Sequence, residues 1–243
     1  MSAADRRRVT PLQQPWAWLW ARLRALEART LIAIMLIATG LLAFLQLGGE
    51  VQAGRTLDID KRIILALRDP ANPGQPIGSF WTKDILHDLT ALGGVAVLTL
   101  TVAVATIFLW VNGRRRHAGV LLGTVLAATL VGQLIKSAYN RPRPDLVAYG
   151  DYFSQSSFPS GHSEIATVVW MTLALIVASL ERTRIGKATA FIVCGFISLT
   201  AGAARVYFGV HWPSDVLGGW IIGAGWALVA WIALGAWKPR PGA

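Results

Sequence analysis

Six long apolar runs divide this chain of 243 residues, and they constrain its fold more than any other feature. They lie near residues 31–48, 90–111, 117–135, 165–180, 188–204 and 216–237. A helix needs roughly 20 residues to cross a hydrocarbon layer of about 30 Å. Only 15% of the residues are charged, against roughly 25% in a typical soluble domain. We therefore predict an all-α, polytopic membrane protein with six transmembrane helices.

The chain reads as one membrane domain with short flanking segments. We place a six-helix domain at residues 30–237, preceded by a basic, Trp-rich segment at 1–29 and followed by a short tail at 238–243. The N-terminal segment is either an interfacial helix on the inner leaflet or a disordered basic tail. Between the first two runs, "LDIDKRIILALRD" has apolar residues at helical spacing, which predicts a short amphipathic helix followed by a Pro/Gly turn.

The basic residues lie mostly on one side of the predicted bundle. With the N-terminus taken as cytoplasmic, that side holds 14 of the 23 Lys and Arg residues: Arg6, Arg7, Arg8, Arg22, Arg24, Arg29, Arg114, Arg115, Arg116, Arg182, Arg184, Lys187, Lys238 and Arg240. Such asymmetry is typical of cytoplasmic loops in membrane proteins. We therefore predict a multi-pass protein of a bacterial-type plasma membrane with both termini cytoplasmic, and we expect no nucleic-acid partner despite the net charge of +10.

Reactive and charged residues gather at the opposite, outer helix ends. The predicted third to sixth helices end or begin there with Lys136, Arg143, Ser160, Gly161, His162, Glu164, Arg205, His211 and Asp215. This placement follows from the alternation of the helices rather than from the count of charges. One site at the outer membrane surface can therefore collect cations, two histidines and a carboxylate.

These residue types suit the binding and transfer of an oxyanion. Backbone N–H groups at a helix start bind phosphate without metal, and Gly161 allows close approach. Asp215, four residues after His211, can fix one imidazole nitrogen and leave the other free to attack. A second histidine can then act as general acid. Because nearby cations repel a divalent ion and carboxylates are few, we expect no metal and no cofactor.

Three spaced motifs resemble those of the type 2 phosphatidic acid phosphatase superfamily, which includes the vanadium haloperoxidases. They are Lys136 with Arg143-Pro144, Pro159-Ser160-Gly161-His162, and Arg205 with His211 and Asp215, together spanning residues 136–215. The resemblance implies that His211 forms a phosphohistidine, that Asp215 orients it and that His162 protonates the leaving group. It also implies that Lys136, Arg143, Arg205, Ser160 and the backbone at Gly161 hold the phosphoryl oxygens. The family often has Ser before the third-motif arginine, where this chain has Ala204.

We therefore predict a metal-independent phosphatase acting on a lipid phosphate or diphosphate at the outer face of the membrane. Isoprenyl diphosphates, phosphatidylglycerol phosphate and phosphatidic acid all fit the resemblance. Two alternatives stay open: a non-catalytic lipid or phosphate binder or transporter, and haloperoxidase chemistry on bound vanadate. Glu164 either contacts the substrate headgroup or pairs with a nearby cation. The oligomeric state does not follow from the sequence.

Overall fold

The computed structural model describes residues 28–145 and 156–235, and those residues form eight helices. In chain order they are α1 Ala28–Gln52, α2 Leu57–Ala66, α3 Phe80–Ala91, α4 Val95–Val111, α5 Arg115–Tyr139, α6 Gly161–Leu180, α7 Arg184–Tyr207 and α8 Pro213–Gly235. Nearly all of the predicted N-terminal segment and all of the predicted tail lie outside the described residues.

Five of these helices, α1, α5, α6, α7 and α8, are long and apolar enough to cross a membrane. A sixth crossing exists if α3 and α4, which are bent by 46° relative to each other, count as one broken span. The predicted all-α, multi-pass fold is therefore confirmed. The difference lies at the second run, predicted near residues 90–111: the structure breaks it between α3 and α4, and α3 begins ten residues before the predicted run.

The break between α3 and α4 has a local cause. Gly93 and Gly94 stand between the two helices, and glycine is a poor helix former. A Cβ at Gly93 would lie 2.9 Å from the side chain of Ala201 on α7, so the missing side chain allows the two segments to approach closely. The indole N–H of Trp170 donates to the Leu92 carbonyl at 3.1 Å, which satisfies a backbone group that the break exposes.

Helix α6 is the most enclosed of the five membrane-length helices, and α8 packs closely along it. The contact uses two glycines of α8, Gly219 and Gly223, spaced one helical turn apart. A Cβ at Gly219 would lie 2.6 Å from the Ser160 carbonyl oxygen, and one at Gly223 would lie 2.7 Å from Thr167 Cβ. Small residues let helices approach in this way inside membranes. The starts of α6 and α8, which carry the second and third motifs, are thereby held side by side.

Helix α2 forms the short helix predicted from "LDIDKRIILALRD", and it covers the same end of the bundle. Its Ile64 is fully buried against Val206, Trp212 and Val216. The same face of α2 buries Asp60, which is only 1% exposed. An acidic residue inside this contact was not expected from the sequence.

Candidate active site

The predicted site residues meet at one end of the bundle. The backbone N–H of Ser160 donates to the Asp215 carbonyl at 2.9 Å, which joins the start of α6 to the start of α8. Lys136, in the last turn of α5, lies over the start of α6, because its Nζ is 3.2 Å from the position of a Cβ at Gly161. The structure therefore brings together residues that are up to 79 positions apart in the chain.

The turn after α5 carries two arginines across the helix ends. Asn140 follows the last residue of α5 and adopts a left-handed conformation with φ of 43°, a common way to terminate a helix. Pro142 follows, and a proline close after a helix end prevents the helix from continuing. Arg141 and Arg143 consequently lie over the start of α8 instead of continuing along α5.

His211 lies just before α8, only 2% exposed, between an acid and a cation. Its Nδ1 lies 3.3 Å from Asp215 Oδ2, and its Nε2 lies 3.1 Å from Arg143 Nη1. A carboxylate only accepts hydrogen bonds and a guanidinium only donates them. Nδ1 therefore carries the hydrogen, and Nε2 keeps its lone pair on the side of Arg143.

Asp215 is fully buried, and both of its carboxylate oxygens accept hydrogen bonds. Oδ2 accepts from the backbone N–H of Trp212 at 2.9 Å as well as from His211, while Oδ1 accepts from Arg141 Nη1 at 2.6 Å. These contacts fix the plane of the carboxylate and, through it, the orientation of the imidazole.

Burial lowers the pKa of His211 to about 4, although the hydrogen bond and the charge of Asp215 act to raise it. The imidazole is therefore neutral at pH 7. Burial also lowers the pKa of Arg143 from its usual value, against the opposing effect of Asp215. A neutral imidazole beside an arginine is the state in which a histidine can act as a nucleophile.

The start of α6 supplies further groups for an anion. Ser160 caps the helix: its Oγ accepts from the N–H of Ser163 at 3.5 Å and from the Ser163 hydroxyl at 3.1 Å. Its own hydroxyl hydrogen remains a donor. The N–H groups of Gly161 and His162, in the first turn, have no carbonyl of their own helix to bind.

Cations surround this helix start. The half-buried His162 interacts electrostatically with Arg205, His211, Lys136 and Arg143. The backbone carbonyl of Arg205, in the last turn of α7, accepts from the N–H groups of Val210 and His211, which folds the loop back over the site. The arrangement provides positive charge and helix N–H groups around one neutral imidazole.

Glu164 occupies a buried position between α5 and α6. It is 1% exposed, and a Cβ at Gly132 would lie 2.7 Å from its Oε2. Its charge interacts with that of Lys136, one turn beyond Gly132 on α5. Among the described residues, Oε1 has no hydrogen-bond partner. Of the two interpretations for Glu164, this position supports interaction with a nearby cation.

Two residues that contact the predicted site were not among the residues predicted from the sequence: Asp60 and Arg141. Arg141 Nη2 donates to Asp60 Oδ2 at 2.8 Å, and Nη1 donates to Asp215 Oδ1. A signal for Asp60 was present, because it lies three residues after Leu57 and four before Ile64, on the apolar face of α2. Nothing in the sequence distinguishes Arg141 from the neighbouring Arg143 as a residue that contacts Asp215.

A family model described as the PAP2 superfamily matches residues 117–239, more than half of the chain. This range includes every predicted site residue but not Asp60. The sequence is 32% identical to phosphatidylglycerophosphatase B of Bacillus subtilis over 147 residues, which cover 59% of this chain and 70% of that protein. It is 33% identical to a lipid A 1-phosphatase of Rhizobium johnstonii over 118 residues. That alignment covers 45% of this chain and 44% of the rhizobial protein, less than half its length.

The fold also matches a solved structure. The crystal structure of a transmembrane PAP2 type phosphatidylglycerolphosphate phosphatase from Bacillus subtilis superposes with a TM-score of 0.73 at 25% sequence identity. The match covers 84% of this chain and 98% of the crystallised one.

Proposed function

The chain belongs to the PAP2 superfamily and is a membrane lipid phosphatase, and we propose that it works through a phosphohistidine formed at Nε2 of His211. The observation that carries this proposal is the fixed imidazole: Nδ1 bonds to Asp215 and Nε2 faces Arg143. The lone pair that must attack phosphorus is thereby directed toward a cation that can hold a phosphoryl oxygen.

The first step transfers the phosphoryl group to the enzyme. Nε2 of His211 forms a bond to phosphorus while the bond from phosphorus to the leaving oxygen breaks, and Asp215 stabilises the imidazolium that results. Lys136, Arg143 and Arg205 balance the negative charge on the phosphoryl oxygens. The phosphorus atom takes the place of the Arg143 contact at Nε2, and the guanidinium then binds a phosphoryl oxygen.

His162 supplies the proton that the leaving oxygen needs, and water completes the reaction. A bound phosphoryl group neutralises part of the cationic charge that surrounds His162 and favours the proton-donating form. In the second step His162 takes a proton from water, the water oxygen bonds to phosphorus, and the bond to Nε2 breaks. Inorganic phosphate leaves and both histidines return to their starting states.

We propose lipid phosphates and diphosphates as substrates: phosphatidylglycerol phosphate, phosphatidic acid or isoprenyl diphosphates. The named activities of the Bacillus and Rhizobium relatives support a phosphorylated lipid. The position of the site at the ends of membrane-length helices supports it too, since a phosphorylated headgroup lies at that depth. Binding or transport without chemistry is the alternative, but it needs the cations and not the buried pair of His211 and Asp215.

Catalysis is proposed to need no divalent metal, because Lys136, Arg143 and Arg205 already supply positive charge for the phosphoryl oxygens. The test is phosphate release by the detergent-purified protein from the three substrate classes, with and without excess EDTA. We expect the same rate in both conditions. Loss of activity in EDTA that Mg²⁺ restores would exclude this mechanism.

We propose that the site faces the extracytoplasmic side. The described basic residues at the opposite helix ends, among them Arg114, Arg115, Arg182 and Arg184, support this orientation through the positive-inside rule. Single cysteines at two exposed glycines test it in intact cells: Gly74→Cys near the site end and Gly113→Cys at the other, each with Cys194→Ala. A membrane-impermeant maleimide should label Gly74→Cys in intact cells and Gly113→Cys only after lysis. The reverse pattern would place the site on the cytoplasmic face of the membrane.

A further inference from the structure

Helix α2 contributes a buried carboxylate to the far side of the site. Asp60 is 1% exposed, and a fully buried acid is rare unless it is paired. Its Oδ1 accepts from the backbone N–H of Ser214 at 2.9 Å, and its Oδ2 accepts from the Ser214 hydroxyl at 2.5 Å. Oδ2 also accepts from Arg141 at 2.8 Å. Asp60 thus binds the first turn of α8 immediately beside Asp215.

Arg141 joins this carboxylate to the one that supports His211. Its Nη2 faces Asp60, and its Nη1 donates to Asp215 Oδ1 at 2.6 Å. The side chain is 9% exposed and lies over the ring of Trp212, 5.5 Å from the ring centroid. Four charged or ionisable groups therefore stand in one row: His211, Asp215, Arg141 and Asp60.

The charges in this row contribute to the electrostatic potential at His211. Arg141 alone would cancel the charge of Asp215 and weaken its support for an imidazolium. Asp60 pairs with the other side of the guanidinium, so the three groups beyond His211 keep a net charge of −1. Electrostatic interactions between buried groups are screened little by solvent, which makes this balance effective.

We propose that Asp60 and Arg141 are positioning residues for the nucleophile. Arg141 fixes the Asp215 carboxylate against His211, and Asp60 neutralises Arg141 so that the negative charge of Asp215 remains available to the imidazole. This inference rests on the proposed nucleophilic role of His211. It extends the site to α2, outside the part of the chain that the family match covers.

A role limited to holding the fold predicts different behaviour. In that case each substitution would lower the thermal stability of the protein, while the kcat of the folded enzyme would stay near the wild-type value. The charge-balance role predicts that Asp60→Asn is harmful because Arg141 is present. When Arg141 is removed as well, the loss of Asp60 should have almost no further effect on kcat. A double-mutant cycle on kcat measures this coupling.

The experiment compares Asp60→Asn, Arg141→Gln and the double variant, each as purified full-length protein. Dioctanoyl phosphatidic acid serves as the substrate, and kcat, KM and thermal unfolding are recorded for each variant. Asp58→Asn is the matched control, because Asp58 is an exposed acid on the same helix. We expect Asp60→Asn to lower kcat about 10- to 100-fold, the range for hydrogen bonds to charged groups, with little change in KM.

Relative to Arg141→Gln, the double variant should lose no further activity, and Asp58→Asn should match the wild type. A kcat of Asp60→Asn within about twofold of wild type would overturn the proposal, as would losses that multiply in the double variant. Asp60→Glu, which keeps the charge, covers the case in which the Asn variant does not fold. It should retain severalfold more kcat than Asp60→Asn, and equal losses in the two would also overturn the proposal.

Trapping of phosphoenzyme separates this inference from the proposed function. If the wild type turns over without phosphate on His211, the proposed function fails. If the wild type forms phosphohistidine and Asp60→Asn forms it at the same rate, the function stands and the positioning role fails.

Discussion

The two ends of the helix bundle both carry clusters of positive charge, but they hold that charge in different surroundings. At the site end, Arg141 has 9% of its side chain exposed and lies between two buried carboxylates, Asp60 and Asp215. At the other end, Arg115 and Arg184 are exposed. Charge in water costs little, whereas buried charge is tolerated only when it is paired and hydrogen-bonded. The exposed charge is consistent with the proposed membrane topology, and the buried, paired charge is consistent with the proposed site.

The largest difference between the two ends should appear when an acid is neutralised. Asp215→Asn removes the charge that supports the His211 imidazolium and disturbs its tautomer. We expect kcat to fall by roughly 10²- to 10⁴-fold, because the aspartate of a serine-protease triad has an effect at the upper end of this range. KM should change little, since Asp215 does not contact the substrate in this mechanism.

Glu181→Gln is the matched control for that variant at the opposite end, where Glu181 accepts hydrogen bonds from the backbone N–H groups of Arg182 and Thr183. Its kcat should equal that of the wild type. A rise in KM alone for Asp215→Asn would make Asp215 a binding group and contradict its assigned role.

A cation exchanged for another cation should give the next largest difference. Arg143→Lys keeps the charge but loses the planar guanidinium, whose Nη1 contacts both the Val210 carbonyl and His211 Nε2. We expect kcat/KM to fall about 10- to 100-fold, with both constants affected. Arg115→Lys at the exposed end should leave both constants unchanged. Equal effects of the two substitutions would show that Arg143 has no specific role in binding the phosphoryl group.

The pH dependence offers a smaller effect that is specific to the buried end. His211 must be neutral to attack, and its pKa of about 4 means that protonation inactivates it only as the pH falls through that value. With an activated aryl phosphate, phosphoenzyme formation at pH 5.5 should stay close to its rate at pH 7. A histidine of ordinary pKa near 6.5 would lose roughly tenfold at pH 5.5, and such a loss would contradict the buried, neutral state.

The smallest expected effect concerns packing along α5. Its glycine near the site is tightly packed, whereas a glycine near the opposite end is not. A Cβ at Gly132 would lie 2.7 Å from Glu164 Oε2, whereas one at Gly119 would have no neighbour within 4 Å among the described residues. Gly132→Ala should lower the free energy of unfolding by about 1–3 kcal/mol, the usual cost of overpacking. Gly119→Ala should not be destabilising. Thermal unfolding in detergent compares the two, and equal changes would show that Glu164 is not tightly enclosed.

Much of the site was predictable because its residues stand at helix ends. Once the apolar runs were placed, Lys136, His162, Arg205 and His211 had to share one face of the membrane, and the structure brings them together. Two features were not predictable. The break after Leu92 depends on the contact between Gly93 and α7, which a hydropathy pattern does not contain.

Asp60 shows the second limit of the sequence. Its partner Ser214 is 154 residues away, and the pairing requires α2 to fold over the start of α8. Acidic residues on short amphipathic helices are usually solvated, so the position of Asp60 on the apolar face of α2 did not by itself predict burial. Asp60 is connected to the site only through Arg141 and Asp215, and these contacts form only in the tertiary structure.

In the proposed mechanism His211 carries the phosphoryl group, while His162 only moves protons. Rapid acid-free quenching after mixing enzyme with a ³²P-labelled activated aryl phosphate measures this directly, because phosphohistidine survives alkali and is lost in acid. Wild type and His162→Ala should both form alkali-stable phosphoenzyme, since an activated leaving group needs little help from an acid, and His211→Ala should form none. Labelled His211→Ala protein, or unlabelled wild-type protein that still releases phosphate, would show that His211 is not the nucleophile.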